Sequence, residues 1–250
     1  MRIVISARPY LEHVGGHIVL HKLCDSLVRE GLPAFLRPDT ADWATNPDYL
    51  SPVTDHVTDD DVVIYHDSIR GNPWQARRVI RWLLYLPKHP VDGLPLAYSE
   101  QYGQGPYLKV IEPHLDVFRD LGLPRKGSCW TWRKAERQGW KRTQKPRAGT
   151  EIPRGTGNRE LADIFNRHDR FICYDGASWL AVQAALCGCD VIMPRPVGGV
   201  FPYPGVATSE AGLPQARAER AALRERLETE YREQDKKAAE VIRWAVMQLQ

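Results

Sequence analysis

An α/β chain with parallel sheets, organised as two halves, is the fold class this sequence predicts. Strand-like and helix-like segments alternate along it, and "ICYD" and "VIMP" read as buried strands of the parallel type, covered on both faces. Between the halves lies a basic, proline-bearing stretch from about 120 to 160, rich in glycine and tryptophan.

The elements follow in order. "RIVISA" reads as a first strand and a loop with Gly15 and Gly16 comes next. Leu20, Leu23, Leu27 and Val28 then recur at helical spacing up to Gly31, a C-terminal cap. "PAFLRP" makes a second strand and "DDDVVIYHD" a third. "NPWQARRVIRWLLYLP" reads as a helix with Pro73 in its first turn. "LPLAYS" and "YLKVIE" are further short strands. Beyond the basic stretch come a helix at "NRELADIFNRHD", the strand "RFICYD", a helix from Trp179 to Cys187 ended by Gly188, and the strand "DVIMP". From Pro214 onward the chain reads as helical, with Ala238, Val241, Ile242, Ala245 and Leu249 on one face. The division expected is 1–115 and 116–250.

Composition narrows the function classes. The chain has 250 residues, 43% hydrophobic and 26% charged, enough for one large core or two modest ones, and its net charge of +3 gives no general argument for a polyanionic partner. No apolar run reaches about 18 residues, and the N-terminus lacks the long apolar core and cleavage site of a leader. Five scattered cysteines without C-x-x-C spacing suit reduced thiols in a cytoplasm, not a disulfide framework or a metal cluster. His13, His17 and His21 recur every fourth residue, but His13 precedes the helix and no third ligand is evident. The acidic triplet at 59–61 precedes its strand and reads as a solvated turn. The run "RKAERQGWKRTQKPR" with Trp130, Trp132 and Trp140 has a composition that RNA-binding surfaces share, without a recognisable nucleic-acid fold around it.

"YDGASWLAVQAALCGCDVIMP", residues 174 to 194, carries the chemistry. Asp175 closes a strand and Ser178 opens a helix, where free N–H groups and the helix dipole favour phosphate at the carboxyl end of a parallel sheet. Gln183 follows one to two turns later. A plainer reading stands beside this one: Ser178 as a cap, Asp175 as a turn residue, Gln183 as a surface amide.

This stretch resembles the donor-nucleotide motif of GT-B glycosyltransferases, in which an acid, seven residues and a second acid precede A-x-x-x-G-x-P-V. Here the pattern runs from Asp175 to Gln183 and on through "AALCGCDVIMP". It departs from the family in having an amide in place of the ribose-binding acid and a first acid one methylene shorter. "VVIYHDSIRGNPWQARRVIRWLL" is similar to a segment of bacterial polysaccharide glycosyltransferases, with Asp67 as the strand-end acid before G-N-P, and "GGHIVLHKLCDSL" looks like their N-terminal glycine loop and helix.

The resemblance implies two Rossmann-like domains facing across a cleft, a compact GT-B arrangement with a helical C-terminus. Residues 1–115 would be the acceptor side, 116–250 the nucleotide-sugar side. It implies glycosyl transfer from a nucleoside-diphosphate sugar to a glycan or lipid-linked acceptor hydroxyl in surface polysaccharide or glycoconjugate synthesis. The reaction would retain configuration, need no metal or cofactor and involve no nucleic acid, in the cytoplasm and at the inner membrane surface. Asp67 and Asp175 are the catalytic candidates. Gly15, Gly16, His66, Asn72, Arg133, Lys134, Tyr174, Ala177, Ser178 and Gln183 are the substrate-binding ones, Arg133 and Lys134 neutralising the diphosphate. Two alternatives remain: a nucleotide-sugar-binding relative without turnover, which Gln183 supports, and a basic RNA-binding α/β module.

Overall fold

The apolar run Ile3, Val4 and Ile5, followed by the small Ser6 and Ala7, puts strand β1, Ile3–Ala7, wholly inside. In the computed structural model, which describes residues 1–40 and 43–250, β1 is followed by helix α1, Gly15–Arg29. Strands β2 (Ala34–Pro38), β3 (Val62–His66), β4 (Arg78–Leu83) and β5 (Leu94–Ala97) complete a parallel sheet of order β2-β1-β3-β4-β5. Alternate residues separate two layers. Ile3, Ile5, Val62, Ile64, Ile80 and Trp82 pack with Leu20, Leu23 and Leu27 of α1. Val4, Val63, Tyr65 and Val79 face a smaller cluster closed by loop residues Val57, Ile69 and Trp74.

The helix expected over "NPWQARRVIRWLLYLP" is instead a turn followed by β4. Asn72 shapes the turn: its Oδ1 accepts from the Ala76 amide at 3.0 Å and its Nδ2 donates to the Ala76 carbonyl at 2.8 Å. Gln75 there has φ 51°, which no helix permits. The run "RVIRWL" is then taken between β3 and β5, where sheet burial overrides its helical spacing. Arg81, which a surface helix would expose, is buried. Its guanidinium donates to the Ile69 and Gly71 carbonyls at 2.8 Å, pairs with Asp92 and lies over the Tyr65 ring, stapling the loop after β3. "YLKVIE" also differs from expectation. It makes only a bridge from Tyr107 to Ala97, because the Ile111 amide donates to the Gln234 side chain at 2.7 Å instead of to a neighbouring strand.

The second sheet is parallel too. It comprises β6 (Ser128–Thr131), β7 (Thr150–Glu151), β8 (Arg170–Cys173), β9 (Asp190–Ile192) and β10 (Val206–Ala207), ordered β10-β9-β8-β6-β7. Helix α2 (Asn158–Arg167) leads into β8, α3 (Leu180–Leu186) into β9, and α4 (Leu213–Gln248) closes the chain. Counted by appearance, each sheet runs second, first, third, fourth, fifth. In each, the order therefore reverses direction between the first and third strands, the point where open parallel sheets receive ligands.

The chain divides into two compact units, Met1–Glu112 with Glu230–Gln250, and Pro113–Thr229. The sequence division at 115 and 116 lies close to the first boundary but assigns the last 21 residues to the other half. They join the first unit because Ala238, Ala239, Ile242, Ala245 and Val246 fill its core.

One member of the acidic triplet is not solvated. Asp61 is buried and takes both a bidentate contact from Arg2, at 3.0 and 2.7 Å, and the Thr58 amide at 2.8 Å. Burial alone would raise its pKa, but these donors outweigh it and bring the carboxyl down to about 2. A depressed folded-state value means stability that is present above the unfolded value near 4 and lost as pH falls toward 2. Asp61→Asn should remove about 1 to 2 kcal/mol at pH 7 and little at pH 2, read by urea unfolding at both.

Candidate functional site

At the second sheet's reversal point, the loops after β6 and β8 meet. Asp175 is 1% exposed, and its carboxylate accepts from the backbone amides of Lys134 at 2.5 Å and Arg133 at 3.3 Å and from the Thr131 hydroxyl at 3.2 Å. An internal carboxylate thus holds the N–H groups that a ligand anion would otherwise meet, and Asp175 fixes where the Arg133 and Lys134 side chains start. Gly176 is locked as tightly. Its amide donates to Gln138 Oε1 at 2.5 Å, its carbonyl accepts from the Val197 amide at 2.8 Å, and a Cβ there would run into the Arg195 carbonyl oxygen.

An aromatic wall stands on the same loops. The Tyr174 ring lies 5.0 Å from Trp132 and 5.1 Å from Trp140, and the Arg195 guanidinium sits 3.9 Å over Trp140. Burial pushes the Tyr174 phenol up. Three N–H donors on these loops are buried without an acceptor: Arg133 Nε, Trp140 Nε1 and Trp179 Nε1. Arg133 reaches the Pro153 carbonyl at 2.7 Å through Nη2, and desolvation lowers its pKa. Ala177 and Ser178 are half-buried between Asp175 and α3, whose N-cap position is Trp179, with no side-chain cap bond. Gln183, expected at the surface or against a ribose, is 5% exposed within α3.

The first sheet's edge is organised differently. Gly15 and Gly16 open α1, both exposed. His66 ends β3, buried, with Nδ1 2.8 Å from the Ser68 hydroxyl. Asp67 follows it and turns away from β1, toward the end of β4: its Oδ1 accepts from the Leu84 amide at 3.1 Å. Burial raises the Asp67 pKa, against the pull of the Leu84 and Tyr85 amides and of Arg81. A small cavity beside it is lined by Ile69, Gly71, Arg81, Leu83, Pro90 and Asp92. Asn72, expected to touch substrate, has its side chain committed to the turn described above and to the Tyr65 hydroxyl at 3.2 Å.

The structure therefore brings Arg133, Lys134, Tyr174, Asp175, Ala177 and Ser178 to one edge of the second unit, and Gly15, Gly16, His66 and Asp67 to one edge of the first. Reasoning from sequence missed Gln138, which accepts from the Gly176 amide 38 residues away, and Arg195, which donates to the Gly139 carbonyl 56 residues away on the loop after β6. It also missed Arg8 and His17 beside His66. The tryptophans of the basic stretch were the available signal for the aromatic wall.

Among the described residues, no cluster of His, Cys, Asp or Glu is arranged to hold a metal, and no helix is long and apolar enough to cross a membrane. All five cysteines are buried free thiols, and burial pushes Cys24, Cys129 and Cys187 up to about 12. No protein-family model matches the chain, and no curated protein matches it.

Proposed function

We propose that the chain is a nucleotide-sugar-dependent glycosyltransferase whose second unit holds the donor. The observation that carries this reading is the edge after β6 and β8. There the Trp132, Trp140 and Tyr174 rings offer faces to a base or sugar, and the unpartnered donors of Arg133, Trp140 and Trp179 call for acceptor oxygens. A diphosphate leaving group gathers negative charge as the glycosidic bond breaks, and Arg133, with Lys134 beside it on that edge, would stabilise it. Asp175 acts by positioning these two residues. Asp67 is the more exposed carboxylate, and its raised pKa suits a base or a charge facing an oxocarbenium-like centre. The acceptor would be a glycan or lipid-linked hydroxyl of a surface polysaccharide or glycoconjugate.

A binding-only relative is the second reading. Gln183 in place of an acid favours it, as does the engagement of both carboxylates with backbone amides.

A nucleoside diphosphate at a hundred times its dissociation constant should stabilise the protein by about 2.7 kcal/mol, and Trp140→Ala should cut that gain and the accompanying tryptophan quenching. No thermal shift across uridine, guanosine, adenosine, cytidine and thymidine diphosphates would remove both readings. Donor hydrolysis then separates them: a transferase loses turnover in Asp67→Asn, with a wild-type rate that falls as pH drops through the raised Asp67 pKa. A wild type no faster than that variant leaves the binding-only reading.

A further inference from the structure

The two reversal points differ in one respect. In the second unit, the chain's own Asp175 carboxylate occupies the backbone donors. In the first, among the described residues, no side chain accepts from the amides that open α1. Register places His66 beside Ala7, since Ile3 pairs with Val62 and Ile5 with Ile64, and the alternation puts His66 on the face that α1 covers. His66 is 7% exposed, and its Nε2 has no hydrogen-bond partner. Nδ1 lies 2.8 Å from the Ser68 hydroxyl, and in the tautomer that accepts there the neutral imidazole carries its proton on Nε2 and offers a buried donor.

Helix α1 begins above it with no acidic residue in its first turn and no side-chain cap on Val14. The amides of Gly15 and Gly16 have no acceptor inside the helix. Neither glycine has a positive φ, and a Cβ on either would meet nothing within 4 Å. Backbone geometry and crowding therefore do not demand glycine here, whereas close approach of a ligand to bare backbone does. Arg8 follows β1, is half exposed, and its Nε lies 3.3 Å from the Asp39 carboxylate. Burial, with Arg8, His17 and Arg81 acting in the same direction, brings the His66 pKa down to about 4, and the two arginines give the local field a sign that favours an anion.

We propose that the carboxyl edge of the first sheet, between the ends of β1 and β3, is a binding site for a phosphate group, held by the Gly15 and Gly16 amides, His66 Nε2 and the Arg8 guanidinium. The site lies in the other unit from the nucleotide edge and stands whether or not a nucleoside diphosphate binds there.

The test uses the full chain with labelled histidines, titrated with inorganic phosphate and with a hexose phosphate at constant ionic strength, following the His66 imidazole by NMR. A saturable shift of the Nε2 resonance is expected, weakened at least ten-fold, about 1.4 kcal/mol, in Arg8→Gln and in Gly15→Asp. Gly15→Asp is the clean variant, because the added side chain meets open space and an acid suits the first turn of a helix. His66→Gln, which keeps a donor, should bind better than His66→Phe. Tighter binding of the hexose phosphate identifies a phosphorylated metabolite or acceptor, and equal binding identifies the free ion; both support the site. No saturable His66 shift with either compound, or a shift that persists in Gly15→Asp and Arg8→Gln, overturns it.

Discussion

Replacing Asp175 with alanine should destabilise the second unit by about 3 to 5 kcal/mol in urea unfolding. The carboxylate is almost fully buried and serves three donors, the Thr131 hydroxyl and the amides of Arg133 and Lys134. Alanine leaves all three without an acceptor, in a place water reaches poorly, and also strips the half-desolvated Arg133 of its nearest opposing charge. Asparagine keeps one oxygen and should cost about 1 to 2 kcal/mol. In the asparagine variant, a nucleoside diphosphate should bind more weakly without being lost, since the Arg133 and Lys134 side chains remain but their starting points loosen. An alanine variant within 1 kcal/mol of wild type, a difference unfolding curves resolve, would mean that Asp175 does not organise this edge.

Gly176→Ala should be nearly as severe, at about 3 kcal/mol. The glycine is not required for its φ, because its backbone lies outside the left-handed region. It is required because the Arg195 carbonyl occupies the space a Cβ would need, and Gln138 Oε1 would stand 3.2 Å away. A flexible side chain can swing aside, but a carbonyl moves only with its loop. Shifting that loop breaks the bond from the Val197 amide and lifts the Arg195 guanidinium from the Trp140 ring. Tryptophan emission should therefore change in the folded variant, alongside the lowered urea midpoint. Unchanged emission with wild-type stability would show that the 195–197 loop yields without cost.

These two neighbours show how far the sequence could be read. The ends of β8 and α3 were legible, because "ICYD" is a short apolar run and Gly188 stops the helix. What Asp175 does was not legible: whether a strand-end carboxylate faces a ligand or a backbone depends on β6, more than forty residues earlier in the chain. The misread segment at β4 has a different cause. In "RRVIRWLL" apolar residues fall at both helical and strand spacing, and the sheet between β3 and β5 decides between them. An arginine in such a run looks like a solvated face; Arg81 is instead an interior staple, because two loop carbonyls and Asp92 await it. Gln183 reads as a surface amide from its chemistry, yet its turn of α3 faces inward. Single helices with regular spacing, such as α1 and α2, need no such long-range information.

Because the core of the first unit is finished by residues of the final helix, synthesis on the ribosome cannot complete that unit in the order in which it emerges. Its strands leave the exit tunnel first and wait open-faced for Ala239, Ile242 and Val246, while the unit encoded later can close ahead of it. A released chain truncated before residue 230 should thus present Trp82 and Leu96 to chaperones and proteases, with the intervening unit protected.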